Sequence, residues 1–223
     1  MKLVGQYDSP YTRRVAISLT LLGFEFEHIQ LSLFADFDDM KAINPLVRIP
    51  SLVLDDEEVL IDSNAILDYI DEQVGESRAL VPKSGASRRQ ALKIIAIATG
   101  AIDKAMAINY ERNQRPKEKI YTPWIERLSA QLGGALSALD KLPQTPWLMG
   151  QTLSQVDITT AAMIGYIRLY CPALLDGDQY PNLRALAQTC EALPAFQACV
   201  PSPENISADT ELATSALKRL LWS

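Results

Sequence analysis

Few side chains in this sequence are equipped for chemistry, and their types exclude more than they allow. There is a single histidine, His28. A metal centre built on several His or Cys ligands at short spacing has no material here. A His-based nucleophile triad would rest on His28 alone, with no partner pattern around it. The three cysteines, Cys171, Cys190 and Cys199, crowd into the last quarter without a CxxC pair. An odd, sparse set fits a reducing compartment better than a disulfide framework, and helical packing positions better than reactive ones. No GxGxxG and no GxxxxGK[ST] occurs, so dinucleotide and P-loop chemistry lack their usual signals.

What remains is a set of polar residues at expected element ends. Ser9-Pro10 reads as an N-cap followed by the first helical residue. A serine hydroxyl does not ionise at working pH, so Ser9 serves as a donor or a cap, not a base. Tyr7 stands two residues earlier, at the end of an apolar run. Arg48-Ile49-Pro50 precedes an expected strand, and proline is tolerated at a strand's first residue. Asp62-Ser63 opens another helix, with Ser63 at the N-cap, where free N–H groups favour a carboxylate.

The elements that must position these residues follow from the hydrophobic pattern. Lys2 to Gln6 is a short buried strand, and Val15 to Leu22 carries a helix to Gly23, a C-terminal stop. Phe24 to Leu31 reads as a second strand, and residues 32 to 47 as irregular. Ser51 to Leu54 and Val59 to Ile61 flank the acidic turn Asp55 to Glu58, a hairpin signal. Ile66, Leu67 and Ile70 mark one face of the helix after Ser63. Everything later reads as helix: 86 to 112, 118 to 141, Ser154 to Tyr170, Asn182 to Leu193 and Thr210 to Trp222. Ser154 and Asp157 form a capping box, a folding element rather than a chemical one. The fold class is therefore α/β followed by all-α. The expected units are 1–76, a linker at 77–83, and a helical unit at 84–223.

Composition sets the outer limits. The 223 residues are 48% hydrophobic and 22% charged, which suits a globular protein and not a disordered one. The net charge of −6 argues against a general nucleic-acid binder. No apolar run reaches the ~18 residues of a membrane helix. The N-terminal MKLVGQYDSPYTRR lacks a secretory pattern, so a cytoplasmic location is expected. Charge divides unevenly: residues 1–80 hold 6 basic against 15 acidic side chains, and residues 81–223 hold 15 against 12. Opposite signs could favour packing of one copy's N-terminal part on another's helical part.

Four segments in order carry a resemblance. They are Ser9-Pro10-Tyr11-Thr12-Arg13-Arg14-Val15, Asn44-Pro45 with Arg48-Ile49-Pro50, Asp62-Ser63, and Ser154-Gln155-Val156-Asp157 just after Trp147-Leu148-Met149-Gly150. Together with the β-α-β, β-β-α, all-helix layout they resemble the cytosolic glutathione S-transferase superfamily across the whole chain. The Ser-Pro segment is similar to that of its serine-type classes, such as tau and related bacterial proteins. The resemblance implies a thioredoxin-like domain that binds glutathione, followed by the family's helical domain, in a homodimer.

In that reading Ser9 donates its hydroxyl to the glutathione sulfur. A free thiol has a pKa of about 8.5. Lowering it by about two units takes roughly 2.7 kcal/mol. One charge-assisted hydrogen bond supplies about 1.5–3 kcal/mol, and a helix N-terminus up to about 1 kcal/mol. Other classes use a tyrosine at the end of the first strand, which makes Tyr7 the rival. The resemblance further implies a cis Ile49–Pro50 bond that turns the Ile49 backbone toward the cysteinyl part of glutathione. Arg48 would reach the glycine carboxylate, and Asp62 and Ser63 would hold the γ-glutamyl end. Asp stands where the family more often has Glu. Arg14 is expected to be structural or interfacial.

A hydrophobic electrophile would meet the thiolate between the domains, near Tyr11, Phe34, Met106, Tyr110 or Trp222. Glutathione is then a co-substrate, with no metal or prosthetic group. Two alternatives stay open. One is a glutathione-dependent isomerase of the maleylacetoacetate type, although the Ser-Ser-Cys run of those relatives is absent. The other is a non-enzymatic binding or regulatory protein on the same fold. Ser9 stands where a thiol oxidoreductase of the omega or glutaredoxin kind would hold cysteine.

Overall fold

Short strands open the chain, each too brief to stand without the helices that cover it. The computed structural model describes residues 1–202, so the helix expected at Thr210 to Trp222 lies outside the described residues. β1 (Lys2–Val4), β2 (Glu27–Ile29), β3 (Ser51–Val53) and β4 (Val59–Ile61) form one sheet in the order β2-β1-β3-β4. β1 runs parallel to β2, while β3 is antiparallel to both β1 and β4. The register aligns Val4, Ser51 and Ile61 in one row across three strands. Gly5, Pro50 and Asp62 are the residues just beyond that row.

Two helices pack on this sheet. In α1 (Pro10–Leu22), Ser9 is the N-cap and Pro10 the first helical residue, as expected. Gly23 ends the helix at φ 76°, a left-handed conformation that glycine adopts without steric cost. α3 (Ser63–Val74) has Asp62, not Ser63, as its N-cap, one residue earlier than the sequence suggested. The segment read as irregular contains a short helix, α2 (Phe37–Ile43). Its seven residues bury only Met40, so no apolar stripe announces it.

The remaining elements are helical: α4 (Gly85–Asn113), α5 (Thr122–Asp140), α6 (Gln155–Tyr170), α7 (Pro181–Glu191) and α8 (Pro194–Gln197), with 3-10 turns at Lys117–Lys119 and Pro172–Leu175. α6 is buried on every side from Gln155 to Ile167 and packs against α1, α4 and α7. Its start is fixed by Asp157, whose carboxylate accepts from the Ser154 N–H at 2.9 Å and the Leu148 N–H at 2.8 Å. The expected capping box is present. Among the described residues no helix is long and apolar enough to cross a membrane.

α1 lies between the sheet and the helical part, which explains why two arginines are buried on it. Arg13 donates to both carboxylate oxygens of Glu191 on α7, at 2.7 and 2.6 Å, and to the Cys199 carbonyl at 2.9 Å. A forked, fully hydrogen-bonded pair of this kind offsets the desolvation of its two charges.

Candidate functional site

The head of α1, the loop 44–50 and the head of α3 meet at one edge of the sheet. The Val4–Ser51–Ile61 row brings them together. Gly5 sits at the junction. A Cβ placed there would lie 2.7 Å from Thr12 Oγ1 and 2.8 Å from Ile49 Cβ. Only a residue without a side chain lets the α1 turn and the proline loop approach so closely.

Ser9 is 8% exposed, at φ −68° and ψ 120°, and its Oγ accepts from the Thr12 N–H at 3.4 Å. The cap uses a lone pair and leaves the O–H proton to donate elsewhere. Tyr7 goes another way. Its ring stacks on His28 with centroids 3.8 Å apart, and its hydroxyl lies near the Cys199 thiol. His28 Nε2 lies 2.7 Å from the Gly5 carbonyl, which can only accept, so this nitrogen carries the hydrogen. The lone histidine thus braces the junction.

The proline loop is organised by Asn44, which is buried. Its Nδ2 donates to the Arg48 carbonyl at 2.8 Å and to Ser51 Oγ at 3.3 Å, and its Oδ1 accepts from the Leu46 N–H at 2.9 Å. The Ile49–Pro50 bond is cis. Pro50 is buried, Arg48 is exposed, and the Ile49 N–H and C=O bond to nothing among the described residues.

At the head of α3, Asp62 Oδ1 accepts from the Asn64 N–H at 2.8 Å. Ser63 Oγ accepts from Arg14 at 2.7 and 3.2 Å. With both lone pairs used, the Ser63 proton is turned away from Arg14 and is free for an acceptor at the surface. Arg14 also donates to Asn64 Oδ1 at 2.7 Å. It forms no ion pair with a carboxylate among the described residues, and burial pushes its pKa down to about 10. A buried guanidinium thus stands behind the hydroxyl, adding positive potential at a helix N-terminus. Sequence reading missed this role. The one clue was a second arginine on a largely apolar helix.

The expected second-substrate residues meet α4 in different ways. Phe34 and Tyr110 meet edge to face, with centroids 5.9 Å apart. Asp103, Met106 and Tyr110 follow one stripe of α4 at helical spacing. The Tyr11 hydroxyl, by contrast, donates to Asp103 Oδ1 at 2.5 Å, with the Thr99 carbonyl at 3.3 Å, and so pins α1 to α4. Trp222 lies outside the described residues.

A further polar group was not foreseen. Asp8, next to Ser9, is largely buried and accepts from the Tyr170 hydroxyl at 2.7 Å. Its other oxygen has no partner among the described residues. Burial pushes its pKa up, against the lowering effect of that hydrogen bond. Tyr110 and Tyr166 stand close enough to feel its charge. The side chains near Ser9 are therefore aromatic and acidic rather than purely apolar.

Comparison with known proteins agrees with this arrangement. Residues 3–78 match the family model for the glutathione S-transferase N-terminal domain, and residues 122–188 the model for its C-terminal domain. Glutathione S-transferase Z1 of Arabidopsis thaliana is 30% identical over 215 residues, covering 92% of this chain and 93% of that protein. The maleylacetoacetate isomerase of Pseudomonas aeruginosa is 27% identical over 210 residues, covering 91% and 96%. A Methylobacterium radiotolerans glutathione S-transferase, solved with glutathione sulfonate, superposes with a TM-score of 0.85 at 26% identity, covering 93% of this chain and 98% of that one. A thioredoxin-like sheet, a helical half and relatives matched along nearly their whole length leave one conclusion: the chain belongs to the glutathione S-transferase family.

Proposed function

We propose that this protein is a serine-type glutathione transferase that binds glutathione at the α1–α3 edge and activates it as the thiolate. The observation that carries the reading is the disposition of the two rival hydroxyls. Ser9 caps the helix that points at the site and keeps its proton, whereas the Tyr7 ring is stacked on His28 with its hydroxyl near the Cys199 thiol. Ser9 donates to the sulfur anion, and the N-terminus of α1 adds its partial positive charge. The Ile49 backbone pairs with the cysteinyl unit, Arg48 meets the glycine carboxylate, and Ser63, backed by Arg14, meets the γ-glutamyl carboxylate. Asp62 keeps one oxygen for the ammonium. The thiolate then attacks an electrophilic carbon or a peroxide oxygen. Bound glutathione sulfonate in the Methylobacterium relative supports the choice of tripeptide.

The name of the Pseudomonas relative raises a second reading, isomerisation of a dicarboxylate. That reaction needs cations facing the thiolate. The ionisable group beside Ser9 is the carboxyl of Asp8, and Arg48 is engaged by glutathione in the first reading. Conjugation is therefore preferred. The acidic N-terminal part and the net basic helical part support a homodimer. Immobilised glutathione capture tests the reading, followed by a panel of aryl halides, peroxides and maleylacetoacetate. Failure to bind glutathione at millimolar concentration overturns it in favour of a regulatory role, and turnover of maleylacetoacetate alone favours the isomerase.

A further inference from the structure

One carboxyl beside Ser9 has no part in holding glutathione. Asp8 accepts from the Tyr170 hydroxyl through Oδ2 at 2.7 Å, and its Oδ1 is buried with no hydrogen-bond partner. Among the described residues no lysine, arginine or histidine pairs with it. A largely buried carboxyl with one oxygen unmatched is costly to fold. Asparagine, of nearly the same shape, would avoid the cost of the charge.

Aromatic side chains gather round this carboxyl. Tyr166 and Tyr170 of α6 lie with ring centroids 4.7 Å apart, and Tyr110 of α4 meets Phe34 edge to face. Burial raises the pKa of all three tyrosines, and the charge of Asp8 adds to the rise in each. The Arg48 charge acts on Tyr110 in the opposite direction, so Tyr110 stands within reach of both. Once Arg48 is engaged by the glycine carboxylate of glutathione, the field that an incoming electrophile meets is that of Asp8. Burial pushes the Asp8 pKa up, and the Tyr170 hydroxyl and the Ser9 and Asp8 N–H groups pull it back toward the charged form.

We infer, on the transferase reading above, that Asp8 determines specificity for the second substrate: it selects uncharged aromatic electrophiles over anionic ones. Ser9, which holds the sulfur in that reading, is the next residue, with its Cα about 3.8 Å from that of Asp8. A charge ortho to the reacting carbon then falls within about 10 Å of the Asp8 carboxylate, no more than one Debye length, in a partly buried site where screening is weaker still. An anion placed there meets a like charge with no free cation beside it. An uncharged ring meets the tyrosine faces and edges, which favour aromatic contact.

The test compares 2-chloro-3,5-dinitrobenzamide with 2-chloro-3,5-dinitrobenzoate at pH 8, two electrophiles of similar shape that differ in charge. Each kcat/KM is divided by the uncatalysed rate with glutathione. The ratio of the two, taken on one protein, is independent of how much thiolate that protein holds. The wild-type protein should prefer the amide about ten- to 30-fold, as expected for like charges about 8–10 Å apart at an effective dielectric constant of about 20. Asp8→Asn, which keeps the side chain's shape and an acceptor for Tyr170, should lower that preference about tenfold. The two S-aryl glutathione conjugates should show the same preference and the same loss as affinities, with no turnover required. A wild-type ratio near one, or a ratio that Asp8→Asn leaves unchanged, overturns the inference and leaves the transferase reading standing. Conjugates that bind with the expected preference, from electrophiles that are not turned over, support selection by Asp8 and count against the transferase reading alone. If neither conjugate binds at millimolar concentration, both are overturned.

Discussion

Replacing Ser9 with alanine removes two interactions that pH can separate. The first is the helix cap. At 3.4 Å the Thr12 N–H contact is longer than a good N–H···O bond of about 2.7–3.2 Å. Its loss should fall at the low end of the usual range for a cap, about 0.5 kcal/mol. α1 is otherwise held by the burial of Val15, Ile17 and Leu19 and by the Arg13–Glu191 fork, so the fold survives. The second is the hydrogen bond to the sulfur anion, worth about 1.5–3 kcal/mol. At about 1.36 kcal/mol per unit, its loss raises the bound thiol's pKa by about one to two units. The helix N-terminus remains and keeps part of the activation. The sign follows directly: a raised thiol pKa removes thiolate below it and leaves thiolate untouched above it. Conjugation of an aryl halide at pH 7 should drop about three- to 25-fold, while above about pH 9 the variant and wild-type rates should converge. The ultraviolet absorbance of the bound thiolate gives the pKa independently of turnover. An equal loss at every pH would mean a positioning defect, and an unchanged profile would remove Ser9 from the mechanism. A matching displacement in Tyr7→Phe would reassign the donor.

Three further outcomes can be measured. Gly5→Ala forces a Cβ to within 2.7 Å of Thr12 Oγ1 and 2.8 Å of Ile49 Cβ at φ +135°, so overpacking and backbone strain should cost about 2–4 kcal/mol in urea unfolding, with glutathione affinity falling in parallel; an unmoved midpoint would contradict the close approach. Arg48→Ala, at an exposed position, should raise KM for glutathione about fivefold with kcat nearly unchanged, and a loss in kcat alone would deny it the binding role. Asp8→Asn keeps an acceptor for Tyr170 and removes a buried charge. The folded-state pKa of Asp8 is raised, so its ionisation costs stability as pH rises from the unfolded value of about 3.9 through the folded one. The variant should therefore be more stable at pH 7 by of order 1 kcal/mol, with the gain vanishing below about pH 4. A gain that is independent of pH would refute the charge argument.

The elements that hold the site were legible where local chemistry decides them. Ser9-Pro10 ahead of an apolar run and Gly23 after it bound α1 without help from distant residues, and the acidic turn marked the β3–β4 hairpin. α2 was not legible, because two aspartates and one buried methionine in so short a helix leave no periodicity to read. The surroundings of Tyr7 were not local either: they include Cys199, at the far end of the described chain. Arg14 read as structural because its partners, Ser63 and Asn64, become neighbours only once α3 docks on α1. The bond from the Tyr11 hydroxyl to Asp103 was likewise beyond local reading, since it forms only when α4 packs on α1.

The Arg13–Glu191 fork bears on how such proteins diversify. A gene rearrangement that joined this N-terminal half to the helical half of a relative without an acid at the Glu191 position would strand a guanidinium in the interior. Leaving a buried charge of that kind without its partner costs about 3–5 kcal/mol, a large share of a typical domain's stability of about 5–15 kcal/mol. The seam between the halves is thus a poor crossover point unless both ends of the fork travel together, and chimeras that swap them should be insoluble until glutamate is restored.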